Sequence, residues 1–152
     1  MPMTQIEFDA LLADPAKEIR GDIDWVEDED HSPSVEFRAE VRTASGHPLF
    51  VRGSYNALAS TLTFALIHRE VGRIYGLDLG KEHHNPDCKF VGDTHKHRYT
   101  ERFRDKEAYA PPDITEPASE PVAVWEQFCS EANILHDGVL KSPPPAQEEL
   151  FP

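Results

Sequence analysis

The sequence predicts a single α+β domain, a mainly antiparallel β-sheet with one helix near each end of the chain. Three observations predict it. Apolar and polar residues alternate through the middle of the chain, apolar residues recur at helical spacing near both ends, and Gly, Pro, Asn and Asp separate the runs. The 152 residues suit one domain, assigned to 1–138, followed by a proline-rich acidic tail, 139–152, expected to be flexible.

The first helix is expected over residues 4–13. Thr4 and Glu7 have capping-box spacing, Ile6, Phe8, Leu11 and Leu12 supply an apolar stripe, and Pro15 ends it. Residues 21–27 stagger Ile23 and Trp25 against Asp22 and Asp24, which suits a short strand; Asp28, Glu29 and Asp30 then make an acidic turn. The clearest strand is 34–43. Val35, Phe37, Ala39 and Val41 point one way, and Glu36, Arg38, Glu40 and Arg42 the other. Ser45-Gly46 reads as a hairpin turn, Leu49 to Arg52 opens the next strand, and Gly53 is expected to mark a bend.

Residues 55–68 fit either periodicity. The β-branched content and the neighbouring strands favour a strand. Val71 to Leu79 reads as another strand, and Thr94 to Phe103 as one more. Residues 121–134 read as the second helix, with Pro121 in the first turn and Val124, Trp125, Phe128 and Cys129 on one face. Trp25 and Trp125 are expected to anchor the core, and Cys88 and Cys129 to be reduced thiols, since neither forms a C-x-x-C pair.

Composition narrows the function classes. A net charge of −13 argues against nonspecific attraction to nucleic acid. No charged-then-apolar leader begins the sequence, and the longest apolar run, near Phe64 to Ile67, is far too short to cross a bilayer. A soluble, cytoplasmic protein without membrane partners is expected. The charge is uneven: residues 81–106 hold seven of the 15 Lys and Arg against five of the 28 acids, a local +2, together with His83, His84, His95 and His97, four of the eight histidines.

That window carries the candidate chemistry. In an extended Thr94 to Phe103, His95, His97 and Tyr99 share one face, and Lys96, Arg98 and Thr100 the other. Two imidazoles on one face lie about 7 Å apart. The turn through Asn85-Pro86-Asp87 could fold His83 and His84 back against them. One use is metal-free acid–base cleavage of a phosphodiester. His95 and His97 would exchange protons with Tyr99 and His84 in support, while Lys96, Arg98 and Arg102 bind the substrate phosphate. A second is zinc held by His83, His84, Cys88, His95 and His97, at a spacing that matches no standard finger. A third is recognition of phosphates, bases or a protein loop without catalysis. No P-loop, dinucleotide fingerprint, H-E-x-x-H or nucleophile elbow is present in the sequence.

The run Gly80-Lys81-Glu82-His83-His84-Asn85-Pro86, then Gly92 to Arg98, then Ala108-Tyr109-Ala110-Pro111, resembles a family of small uncharacterised bacterial proteins. They share an HHNP turn, an HKHR strand and an AY-x-P exit. The resemblance covers about 35 residues and brings no established reaction. HHNP is also distantly similar to the motifs of HNH-type nucleases. Those place a helix after the second histidine region, whereas the residues after His97 read as strand.

The expectation that follows is a small hydrolase of phosphate esters, directed at RNA or a nucleotide and toxin-like or phage-defence related, with no cofactor or with zinc. The alternative is a non-enzymatic acidic interaction protein, an antitoxin or phage-encoded inhibitor that engages a basic protein partner.

Overall fold

The computed structural model describes residues 3–80 and 114–144 in full and, for the strand segments 83–84, 90–91, 94–98 and 108–109, the backbone. The first helix, α1 (Gln5–Ala13), starts where the capping box predicts. Thr4 Oγ1 accepts from Glu7 N at 3.1 Å, and Glu7 Oε1 accepts from Thr4 N at 3.3 Å. Phe8 and Leu11 are buried and Leu12 packs against the core, but Ile6 is 83% exposed and leaves the expected stripe. At about 100° per residue, Ile6 lies on the far side of the helix from Phe8.

At the other end of α1 is a feature that periodicity does not reveal. Lys17 is fully buried, and its ammonium donates to Leu11 O at 2.7 Å, Leu12 O at 2.8 Å and Asp14 O at 2.7 Å. It satisfies the last carbonyls of the helix, where the helix dipole favours a cation. Burial pushes the ammonium down to about 8, against a raising influence from Asp14.

Lys17 also opens β1 (Lys17–Arg20). After β2 (Val26–Glu27) and a 3-10 turn (Glu29–His31) come four long strands: β3 (Val35–Val41), β4 (Leu49–Asn56), β5 (Thr61–His68) and β6 (Gly72–Leu79). The short β7 (His83–His84), β8 (Phe90–Val91), β9 (Thr94–Arg98) and β10 (Ala108–Tyr109) follow, then α2 (Pro121–Glu131) and β11 (Ile134–Asp137). The main sheet has seven strands in the order β10-β9-β6-β5-β4-β3-β2, with every pair antiparallel. The α+β architecture is therefore as the patterning predicts, and 55–68 resolves into the last two residues of β4, a turn and β5.

Three local expectations change. Only Val26 and Glu27 of 21–27 form a strand; Ile23 instead bridges to Leu140. The second helix stops at Glu131, and Ile134 begins β11, which pairs in parallel with β1. Gly53 is an interior strand residue rather than a bend. It stands opposite Phe37, and a Cβ on it would lie 2.1 Å from Phe37 Cε2, so the aromatic ring occupies the space a side chain would need.

α2 covers one face of the sheet. Trp125 meets Phe64 and Phe37 with ring centroids 5.1 and 5.5 Å apart, and Phe128 lies 5.7 Å from Tyr75. Trp125 is an anchor as expected, while Trp25 packs at the margin, 5.0 Å from the Phe37 ring. Trp125 Nε1 donates to His136 Nδ1 at 3.0 Å, and His136 Nε2 donates to Gly21 O at 2.8 Å, so this imidazole ties α2 and β11 to the loop after β1. The packed body runs past Gly138: Leu140 is buried, and Lys141 N donates to Ile23 O. Cys129 is a free thiol, with burial pushing it up to about 12.

Candidate functional site

Strand alternation divides the sheet into two faces. The face under α2 carries Phe37, Tyr55, Phe64 and Leu77. The opposite face is organised by register into rows that run across the strands. One row is Glu36, Ser54, Thr63, Asp78 and position 95; the next is Arg38, Arg52, Ala65, Gly76 and position 97. The first row is polar throughout, and the second narrows to Ala65 and Gly76 beside β9.

Asp78 is the centre of the polar row. It is 6% exposed, and its Oδ1 accepts from the Thr63 hydroxyl at 2.5 Å. An acid is rarely buried without a partner. Besides Thr63 it has Arg73, whose Nη1 lies 4.0 Å from Asp78 Oδ2. Arg73 reaches it by crossing Gly76: a Cβ on Gly76 would meet Arg73 Cδ at 3.1 Å and Nη1 at 3.5 Å. A glycine thus lets the Arg73 side chain pass close over the strand to reach a buried carboxylate.

β9 brings the predicted histidines to this place. His95 pairs with Asp78, Lys96 with Leu77, His97 with Gly76 and Arg98 with Tyr75. His95 and His97 therefore stand on the Asp78 face, and Lys96 and Arg98 at the opposite register positions, the division that alternation predicts. Directly opposed antiparallel residues have Cβ atoms about 5 Å apart. The strand also pairs on its other side with β10, Ala108 with His97 and Tyr109 with Lys96. His83 and His84 belong to a separate hairpin, where they pair with Val91 and Phe90. Cys88, Tyr99 and Arg102 lie outside the described residues.

Asp78, Thr63 and Arg73 were not singled out in the sequence. The signal for Asp78 was a lone acid at an alternating position inside the apolar run Ile74 to Leu79. The signal for Arg73 was its spacing from Gly76, which has meaning only once the strand is known.

The remaining histidines have structural partners. His68, the last residue of β5, is 4% exposed. Its Nδ1 accepts from Glu70 N at 3.1 Å, so its proton sits on Nε2, which faces His47 Nδ1 at 3.2 Å. Burial, then His47, lowers the His68 pKa. His31 lies 3.1 Å from Asp28 Oδ2 in the acidic turn. Among the described residues no group of three or more His, Cys, Asp or Glu is arranged to hold a metal ion. Also among them, no helix is long and apolar enough to cross a membrane.

The fold and the site together define a mainly antiparallel α+β domain that presents an Arg–Asp–Thr cluster beside a two-histidine strand. The chain belongs to a family of unknown function (DUF6978), whose model matches residues 3–134. No curated protein and no solved structure matches it.

Proposed function

We propose that the protein is a small cytoplasmic hydrolase of phosphate esters, directed at RNA or a nucleotide and toxin-like or phage-defence related. What supports this most is a single observation: the β6–β9 ladder pairs His95 with a buried, hydrogen-bonded Asp78 and His97 with Gly76, beside Arg73. In this reading Asp78, itself oriented by Thr63, orients the His95 imidazole and raises its basicity. His95 takes the proton from the attacking hydroxyl or water. His97, one alternation along the same face, gives a proton to the leaving oxygen. Arg73 offsets the charge that builds on the phosphoryl oxygens. Imidazole suits both roles because its pKa lies near neutrality. Tyr99 and His84 support the proton transfers; Lys96 and Arg98, at the register positions opposite the site, and Arg102 draw a charged substrate by longer-range attraction. In the zinc form of the proposal, His83, His84, Cys88, His95 and His97 are the ligands, and the purified protein retains zinc and melts earlier with chelator. We also take the His83–Pro86 and His95–Arg98 runs to be the marks of a bacterial family.

The test is hydrolysis of an oligoribonucleotide and of bis(4-nitrophenyl) phosphate by the intact protein, by His95→Ala and by His97→Ala. Loss of about 100-fold or more in each variant, with the melting curve retained, supports the reading. Equal activity in all three ends it.

A second reading, a non-enzymatic acidic partner of a basic protein, draws on the exposed acids at 22–30. Asp22, Asp24, Glu27 and Glu29 project into solvent, and Lys141 pairs with Asp24 at 3.2 Å. It predicts a salt-sensitive complex with a basic polypeptide that acidic-run substitutions weaken more than histidine substitutions do.

A further inference from the structure

Among the described residues, the main sheet has a gap in its β3 edge. β2 covers only the start of β3, where Val26 pairs with Glu36 and Glu27 with Val35. β1 meets only the residue after its end: Glu18 N donates to Arg42 O at 2.9 Å, and Arg42 N donates to Glu18 O at 2.7 Å. Between these two points the chain bows away from β3. Ile23 N donates to Val139 O, and Ile23 O accepts from Lys141 N.

Hydrogen-bonding direction alternates along a strand. Glu36 directs its backbone groups toward β2 and Arg42 directs its own toward β1. Arg38 and Glu40, which share their parity, therefore direct theirs into the gap. Those two N–H and two C=O groups have no backbone partner among the described residues. The gap opens onto a cleft of about 580 Å³ with Ile19, Ile23 and Phe37 along its wall. Val26 stands at its lip, 57% exposed.

The charges around the gap are unevenly satisfied. Glu40 is held by Arg69 at 2.7 Å, Arg38 lies 3.8 Å over the Phe50 ring, and Asp24 is held by Lys141. The Arg42 guanidinium is exposed and has no ion-pair partner among the described residues. Natural sheet edges are usually blocked by charge or by a covering segment. Here a short stretch is left with hydrogen-bonding groups, an apolar wall and an unpaired cation together.

We propose that this gap accepts an extended segment of a partner polypeptide, which adds as a short strand beside Arg38 and Glu40. The backbone groups require an extended chain with its own N–H and C=O groups, the recognition mode of strand addition. The pleat then fixes the pattern of the guest. Side chains on the cleft side meet Ile19, Ile23 and Phe37 and are apolar. Those on the other side stand by Arg38 and Arg42 and include an acid. This surface is separate from the Asp78 site, and the inference is independent of the proposed hydrolysis.

The experiment selects heptapeptides from a random display library on the immobilised full-length protein, then measures the synthetic peptides by fluorescence anisotropy. The expected winners alternate apolar and acidic residues. N-methylation at alternate peptide positions of one parity weakens binding at least tenfold, while methylation of the other parity does not. Glu40→Pro, which deletes one N–H of the gap, weakens binding at least tenfold, whereas Glu40→Ala leaves it within threefold. Arg42→Glu also weakens it. Should Glu40→Pro fail to fold, the methylated peptides delete the same hydrogen bonds from the other side. The proposal is overturned if no peptide is selected or if neither methylation parity matters. It is equally overturned if binding occurs only after removal of residues 145–152, which assigns the edge to the chain's own tail, or if sedimentation shows a second copy in the gap.

Discussion

Replacing Gly53 by alanine is a direct probe of how this sheet is packed. The added Cβ would lie 2.1, 2.6 and 2.7 Å from three atoms of the Phe37 ring. Carbon atoms in contact sit about 3.5–4.0 Å apart, so the ring has to move by more than about 1 Å. It has little room to do so, because Trp25, Trp125 and Phe64 surround it at 5.0, 5.5 and 6.0 Å between centroids. Overpacking of this kind costs about 1–3 kcal/mol, and the gain from replacing a strand glycine is roughly 0.5–1 kcal/mol. We therefore expect Gly53→Ala to lose about 1 kcal/mol in urea denaturation, with Tm lower by roughly 2–4 °C. Phe37→Leu alone opens space and is also destabilising. In the double variant the smaller side chain admits the new methyl group, so the two losses should fall short of additive by about 1 kcal/mol or more. A neutral Gly53→Ala, or strict additivity, would refute the close approach of ring and backbone on which the inner face is built.

Three further outcomes follow from particular side chains. The folded-state pKa of His68 is lowered, so the unfolded chain binds the proton more readily below the ordinary value of about 6.5; the urea midpoint should drop as pH falls from about 6.5, and His68→Gln should flatten that slope. Lys17 is also lowered, to about 8, so the wild type should gain stability relative to Lys17→Met as pH rises from about 8 toward the unfolded value near 10.4, and a flat difference would contradict its burial. Gly76→Val should displace Arg73 from Asp78 and lower Tm, because a buried carboxylate loses its cation, and under the proposed function turnover measured well below that Tm should fall about tenfold; unchanged turnover would remove Arg73 from the mechanism.

The long strands were legible because each has one wet and one buried face, so Val35, Phe37 and Val41 announce themselves at period two. The same alternation separates His95 and His97 from Lys96 and Arg98. It had no means of finding β1 and β11, each of four residues and paired across more than a hundred positions of sequence. Lys17 was invisible for a related reason: its partners are backbone carbonyls at the end of α1, which no residue pattern encodes. Glycine in a strand signals either a bend or a close approach, and for Gly53 only the register with Phe37 distinguishes them. Asp78 and Arg73 joined the candidate site through pairing between β6 and β9, a nonlocal contact across the segment that holds His83 and His84.

The most direct test of the account is oligoribonucleotide hydrolysis by the wild type, His95→Ala, His97→Ala and Asp78→Asn, each checked for an unchanged fold by circular dichroism. The account predicts measurable turnover in the wild type, loss of about 100-fold or more in both histidine variants and a smaller loss in Asp78→Asn, whose role is to orient His95. Turnover that is absent from the wild type, or equal in all four proteins, would contradict it.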